Sequence, residues 1–136
     1  MIQFIADDIE FPNIDTKKIN RWIKKITIEY GKKLSKINYI FCSDKRILEI
    51  NMQYLLHDYY TDIITFDYSV ANIISGDIFI SIDTINSNAV KFNVSFEKEI
   101  LRIIIHGLLH LCGQNDKTDD EAIEMTRKEN NALSKF

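Results

Sequence analysis

Apolar residues recur along the chain at two spacings, and the switches between them mark out the elements. Ile2 to Ile5 reads as a first strand. After it, Asp15 can cap a helix in which Ile19, Trp22, Ile23, Ile26 and Tyr30 repeat three and four residues apart, an apolar stripe for the core. Between Lys36 and Ser43 the period falls to two. Ile37, Tyr39 and Phe41 form one face while Ile40 and Cys42 make the other apolar as well, as in a strand covered on both sides. Asp44 is then expected to cap a short helix carrying Ile47, Leu48, Ile50, Asn51 and Tyr54.

Two β-rich runs follow, Asp62 to Ser69 and Gly76 to Ile82, close enough for a hairpin or a tight connection. Thr84 to Lys91 reads as another short helix. From a cap at Ser95, with Lys98 at the third helical position, a longer helix runs to about Cys112 and is apolar on almost every face, so it should be the central, buried one. Gly113 can close it, and Asp119 to Leu133 forms a charged surface helix. Repeats, low-complexity tracts and Pro/Gly/Ser-rich linkers are absent. The expected fold is therefore one α+β domain over residues 1–136, a small mixed sheet of about four strands covered by several helices.

Composition sharpens this only in places. With 136 residues, 46% hydrophobic, four Gly and one Pro, the chain suits a packed core and excludes disordered and collagen-like classes. Its net charge of -3 excludes a polycation of the histone type. Even so, eight of the 17 Lys and Arg lie between Lys17 and Lys36, where Glu29 is the one acid, and such a stretch could track phosphates. The C-terminal segment is acidic instead, with Asp116, Asp119, Asp120, Glu121, Glu124 and Glu129. The first residues lack the basic and apolar regions of a signal peptide, and Arg102, His106 and His110 interrupt the apolar run that might otherwise span a bilayer; a cytoplasmic protein without membrane contact is expected. In a reducing compartment Cys42 and Cys112 would stay unpaired.

Chemistry concentrates in His106-Gly107-Leu108-Leu109-His110-Leu111-Cys112-Gly113-Gln114-Asn115-Asp116. A spacing of four stacks His106 and His110 on one helical face, where two imidazoles can share a metal ion and escape the cost of burial without partners. A turn at Gly113 can bring the Asp116 carboxylate to the same ion, the spacing of metzincin-type zinc sites; His57, Asp119 and Asp120 are competing third ligands. Three protein ligands leave a fourth position for water. Metalloproteases place a Glu general base directly after the first histidine, and here that residue is Gly107, which argues against a peptidase and suits water attack on a phosphodiester.

Further motifs accompany this helix. Asn51, Tyr54, Asp58, Thr61, Asp62, Ile63, Thr65 and Phe66 follow the pattern N-x-x-Y-R-x-x-D-x-x-T-(D/N)-V-L-S-F, Gly76-Asp77-Ile78 with Ile80-Ser81 follows G-D-I-x-I-S, and Met125 with Glu129 follows M-x-x-x-E. Together with the helix pattern H-G-x-L-H-L-x-G-x-D-H, these segments resemble the YbeY family of rRNA maturation endoribonucleases. Two departures stand out. Asn115-Asp116 replaces the family's Asp-His, so the site holds two histidines and a carboxylate, a set that shifts metal preference toward harder ions. Leu55 stands where the family has Arg, a loss that His57 or a lysine from elsewhere could offset.

The resemblance implies a metal-dependent, single-strand-specific endoribonuclease acting on the 16S rRNA 3′ end and in ribosome quality control. His106, His110 and Asp116 would hold one Zn2+ per chain, or another divalent ion. Its partners would be rRNA, the small ribosomal subunit and ribosomal proteins. The rival expectation is a ribosome-assembly factor with a structural or vestigial metal site and no turnover. Asp62 and Thr65 are read as structural or as acceptors behind a ligand imidazole, and Asp77 as a strand-end hydrogen-bonding residue.

Overall fold

In the computed structural model, which describes residues 1–55 and 62–136, nine elements follow one another. They are β1 (Ile2–Ala6), α1 (Thr16–Glu29), β2 (Lys33–Cys42), α2 (Asp44–Leu55), β3 (Ile63–Asp67), β4 (Ile73–Ser81), α3 (Ile82–Lys91), α4 (Phe96–Leu111) and α5 (Asp119–Leu133). Their strands make one sheet in the order β1-β2-β4-β3, in which β1, β2 and β4 run parallel and β3 antiparallel at the edge. The fold is thus the expected α+β arrangement of a four-stranded mixed sheet under helices. His57, Asp58 and Thr61 lie outside the described residues.

One face of the sheet carries the main core. Ile37, Tyr39 and Phe41 of β2 and Ile78 and Ile80 of β4 are all 0% exposed and pack with Ile19, Trp22, Ile23 and Ile26 of α1 and the apolar faces of α4. The opposite face holds a smaller cluster, in which Cys42, Ile47, Ile50 and Ile64 bury α2 against the sheet. Both cysteines are free, Cys42 buried and Cys112 half-buried.

Three sequence expectations shift. Tyr30 is half-buried at the C-cap of α1 instead of inside the core. Asp44 does not cap α2: the Ser43 hydroxyl accepts from the Arg46 backbone N–H, while the Asp44 carboxylate accepts from the hydroxyls of Ser81 and Thr84, each at 2.5 Å. Asp77 sits in the middle of β4 and accepts from Asn38 at 2.9 Å. The caps at Asp15 and Ser95 form as expected. Among the described residues, no helix is long and apolar enough to cross a membrane.

Candidate metal centre

The centre grows from a polar stripe on α4. Glu99, Arg102, His106 and His110 stand three, four and four residues apart, so they line one side of a helix whose other sides are Ile and Leu. At its buried end the Arg102 guanidinium forks onto Glu99, with donor to acceptor distances of 3.0 and 2.6 Å. α5 packs across this stripe and adds Glu129, which is 3% exposed and bonded to Arg102 at 3.3 Å. Its other carboxylate oxygen lies 2.5 Å from His106 Nδ1. A carboxylate can only accept here, so Nδ1 carries the proton and His106 Nε2 turns a lone pair outward.

The loop after α4 supplies the third group. Gly113, with φ +100°, takes the left-handed conformation that ends the helix, and Gly113 and Gln114 return hydrogen bonds to the carbonyls of His110 and Leu109. Four residues after Gln114, the Thr118 and Glu121 capping box starts α5. The short span between these fixed ends carries Asp116 back over the histidines. His106 Nε2 and His110 Nε2 are 3.0 Å apart, and Asp116 Oδ2 is 3.4 Å from each.

That triangle fits a cation. An ion bound tetrahedrally at about 2.0 to 2.2 Å separates its ligand atoms by roughly 3.3 to 3.6 Å, close to the distances found. Among the described residues, His106, His110 and Asp116 form the one cluster of three such groups able to hold a metal ion. Asp119 and Asp120 are exposed in the first turn of α5 instead.

The electrostatics agree with the geometry. Burial lowers the His110 pKa, His106 adds to that effect, and Asp116 and a backbone hydrogen bond to Gln114 oppose it. Burial also raises the Asp62 carboxyl, against the pull of His106 and Arg102. Asp62, Glu99, Asp116 and Glu129 therefore crowd a region where Arg102 is the single guanidinium, a balance that a divalent cation corrects.

Gly107, directly after His106, faces the sheet. A Cβ there would lie 3.0 to 3.1 Å from side-chain atoms of Ile78 and Ile63, so a larger residue would have to push these side chains aside, and with glycine no general base occupies the peptidase position. A cleft of about 530 Å³ opens beside the triad, lined by Ile63, Thr65 and Asp67 of β3 and by His110, Asn115 and Lys117. None of the eight basic residues between Lys17 and Lys36 lines it; Lys18 instead covers the Phe136 ring at 4.2 Å, and Lys24, Lys32 and Lys33 line a separate groove.

Sequence reasoning missed the roles of Glu99, Arg102 and Glu129. Two spacings carried the signal: the polar stripe of α4, and Met125 with Glu129 one turn apart on α5, which buries both together.

Comparison with known proteins adds the family. The sequence model described as Endoribonuclease YbeY matches residues 4–136. A protein of that name from Parabacteroides distasonis is 55% identical over 98% of this chain and 94% of its own length. The Phocaeicola vulgatus protein of the same name is 52% identical, covering 98% and 97%, and that of Porphyromonas gingivalis 44%, covering 97% and 87%. A solution structure from Thermotoga maritima superposes with a TM-score of 0.69 at 28% identity, covering 98% of this chain and 87% of that one. A motif-bearing helix, a near-complete family match and relatives above half identity have one conclusion: this chain belongs to the Endoribonuclease YbeY family.

Proposed function

We propose that this protein is a metal-dependent, single-strand-specific endoribonuclease of rRNA maturation, acting in the cytoplasm at the 16S rRNA 3′ end and in ribosome quality control. One Zn2+ per chain would be held by His106, His110 and Asp116. The observation that carries this reading is the convergence of three ligand atoms within 3.0 to 3.4 Å of one another, in a chain whose family bears the name endoribonuclease. Two imidazoles favour zinc and its transition-metal neighbours over calcium or magnesium, which prefer all-oxygen sites.

When bound, such an ion acidifies water and stabilises charge developing on a phosphoryl oxygen. The protein's own groups prepare for it. Glu129 keeps the proton on His106 Nδ1, Gln114 holds His110, and Arg102 keeps the Glu129 carboxylate in place. The cleft gives an extended strand access to the triad from the side of β3. With glycine at position 107, α4 offers no carboxylate beside the first histidine, which a phosphodiester reaction tolerates better than peptide hydrolysis.

The test is cleavage of unstructured and duplex RNA by zinc-loaded protein and by His110→Ala. The proposal expects the wild type to cut the unstructured RNA alone and the variant to lose both zinc and cleavage. Full cleavage by the variant would overturn it. So would zinc-bound wild type that cosediments with small ribosomal subunits and cuts nothing, the behaviour of an assembly factor.

A further inference from the structure

The cleft beside the triad has an electrostatic problem if its substrate is RNA. Asp67 lines it, Asp62 and Asp116 border it, and the first turn of α5 adds Asp119, Asp120 and Glu121 nearby in the chain. Arg102 is already engaged, its guanidinium bonded to both Glu99 and Glu129, and it does not line the cleft. Beside the proposed ion at the triad, a phosphodiester entering this cleft needs a positive partner that Arg102 does not supply.

Among the described lining residues the cleft has one cation, Lys117. Its side chain is exposed and makes no hydrogen bond or ion pair with the described residues, unlike Lys128 and Lys135, which are bonded to Gln114 and Glu29. Its backbone is firmly placed. Lys117 follows Asp116 directly and precedes the Thr118 capping box, and the Gln114 side chain ties the same loop to the carbonyls of Asn115 and Glu121 at 2.8 and 3.4 Å. A lysine on a fixed loop keeps its long stem free to reach a phosphate while its root stays next to the triad.

The opposite wall is β3. The Ser81 backbone N–H donates to the Asp62 carbonyl and the Tyr68 N–H to Ser75, so the even-numbered residues of β3 bond to β4, the Thr65 backbone N–H and C=O point away from β4, and its side chain shares the sheet face of its partner Ile78. Thr65 lines the cleft, and its hydroxyl has no hydrogen-bond partner among the described residues. An ammonium on one wall and a free hydroxyl on the other are the donors that a phosphate oxygen accepts from.

We propose that Lys117 and the Thr65 hydroxyl form an anion subsite that grips a backbone phosphate of the RNA strand beside the metal triad. The inference rests on the endoribonuclease reading and adds to it the groups that touch the substrate. Lys117 supplies the charge and Thr65 a directional hydrogen bond, so loss of the first weakens the site more.

The experiment compares steady-state cleavage of an unstructured RNA oligomer by zinc-loaded wild type, Lys117→Met, Lys117→Arg, Thr65→Val and Lys91→Met. Each is assayed over a range of salt, with zinc content measured alongside. Lys91 lies at the end of α3 and makes the same charge change away from the cleft. Lys117→Met should lower kcat/KM about tenfold, with zinc content unchanged, and Lys117→Arg should keep most of it. The slope of log kcat/KM against log salt should become shallower by about 0.7 in Lys117→Met, the loss of one phosphate contact to a single strand. Thr65→Val should lose roughly threefold with little change in slope, and Lys91→Met should behave as wild type.

Equal rates and slopes for Lys117→Met and Lys91→Met would overturn the subsite and leave the endoribonuclease reading standing. Loss of zinc in Lys117→Met, or failure of Lys117→Arg to restore it, would also overturn the subsite by assigning Lys117 to the loop's structure. A wild type that cuts no RNA removes both.

Discussion

Glu129 is the sharpest point at which to perturb the proposed centre, because it stands outside the triad and yet bonds to one of its imidazoles. Its carboxylate accepts from His106 Nδ1 at 2.5 Å and from Arg102 at 3.3 Å. In Glu129→Gln the amide oxygen can still accept the imidazole proton, so His106 keeps its orientation but loses the negative partner that makes its Nε2 a stronger donor. A hydrogen bond to a charged group contributes about 1.5 to 3 kcal/mol and a neutral one about 0.5 to 1.5, a difference of roughly 1 to 1.5 kcal/mol or about tenfold in zinc affinity. Glu129→Ala removes orientation as well and should approach a hundredfold, the upper range for such outer groups. The fold should survive both, since Arg102 retains its fork onto Glu99. Competition against a zinc chelator of known affinity measures the effect, and thermal melts without metal check the fold. If Glu129→Ala binds zinc within twofold of wild type while still folded, the reasoning about His106 is wrong.

Other predictions follow from single contacts. Gly76→Ala would place a Cβ 2.5 Å from the Phe66 carbonyl oxygen and 2.9 Å from Leu111 Cδ2. Because backbone cannot yield there, urea unfolding should show a loss of about 3 kcal/mol. Tyr39→Phe removes the bond from its hydroxyl to the Ile104 carbonyl, 3.2 Å long in the core, and should cost about 1 kcal/mol by the same measurement. Burial, reinforced by Asp8 and Asp7, pushes the Cys42 thiol up to about 12. The unfolded thiol ionises near its ordinary value of about 8.5 while the folded one keeps its proton, so this group's contribution is complete below that pH and falls as pH rises, by at most about 1.4 kcal/mol per unit. Between about pH 9 and 10.5, Cys42→Ala should lose stability less steeply than wild type, and an identical slope would contradict the assignment.

Much of this was legible in the sequence, for reasons that individual residues make plain. The α1 and α4 stripes are local periodicities and need no tertiary information. Cap choice does: Ser43 and Asp44 are both good N-caps, and only the fold shows that the hydroxyls of Ser81 and Thr84 claim the Asp44 carboxylate. The third ligand was similarly open among Asp116, Asp119, Asp120 and His57. The Gly113 turn and the Thr118 cap together bring Asp116 to the two imidazoles, Asp119 and Asp120 stand in the first turn of α5, and His57 lies outside the described residues. Arg102 looked like an interruption of an apolar run because its partner Glu129 lies 27 residues away. The basic stretch from Lys17 to Lys36 shows the opposite limit, since clustering along the chain did not place any of those residues in the cleft, whereas the isolated Lys117 lines it.

The claim at the centre of this account is that His106, His110 and Asp116 jointly grip one divalent ion. Elemental analysis of protein purified without chelator tests it most directly, comparing wild type with His106→Ala, His110→Ala and Asp116→Ala. The account predicts close to one zinc or other divalent transition-metal ion per wild-type chain and a large loss in each folded variant. Metal-free wild type that takes up no zinc when it is supplied, or variants that retain a full ion, would contradict it.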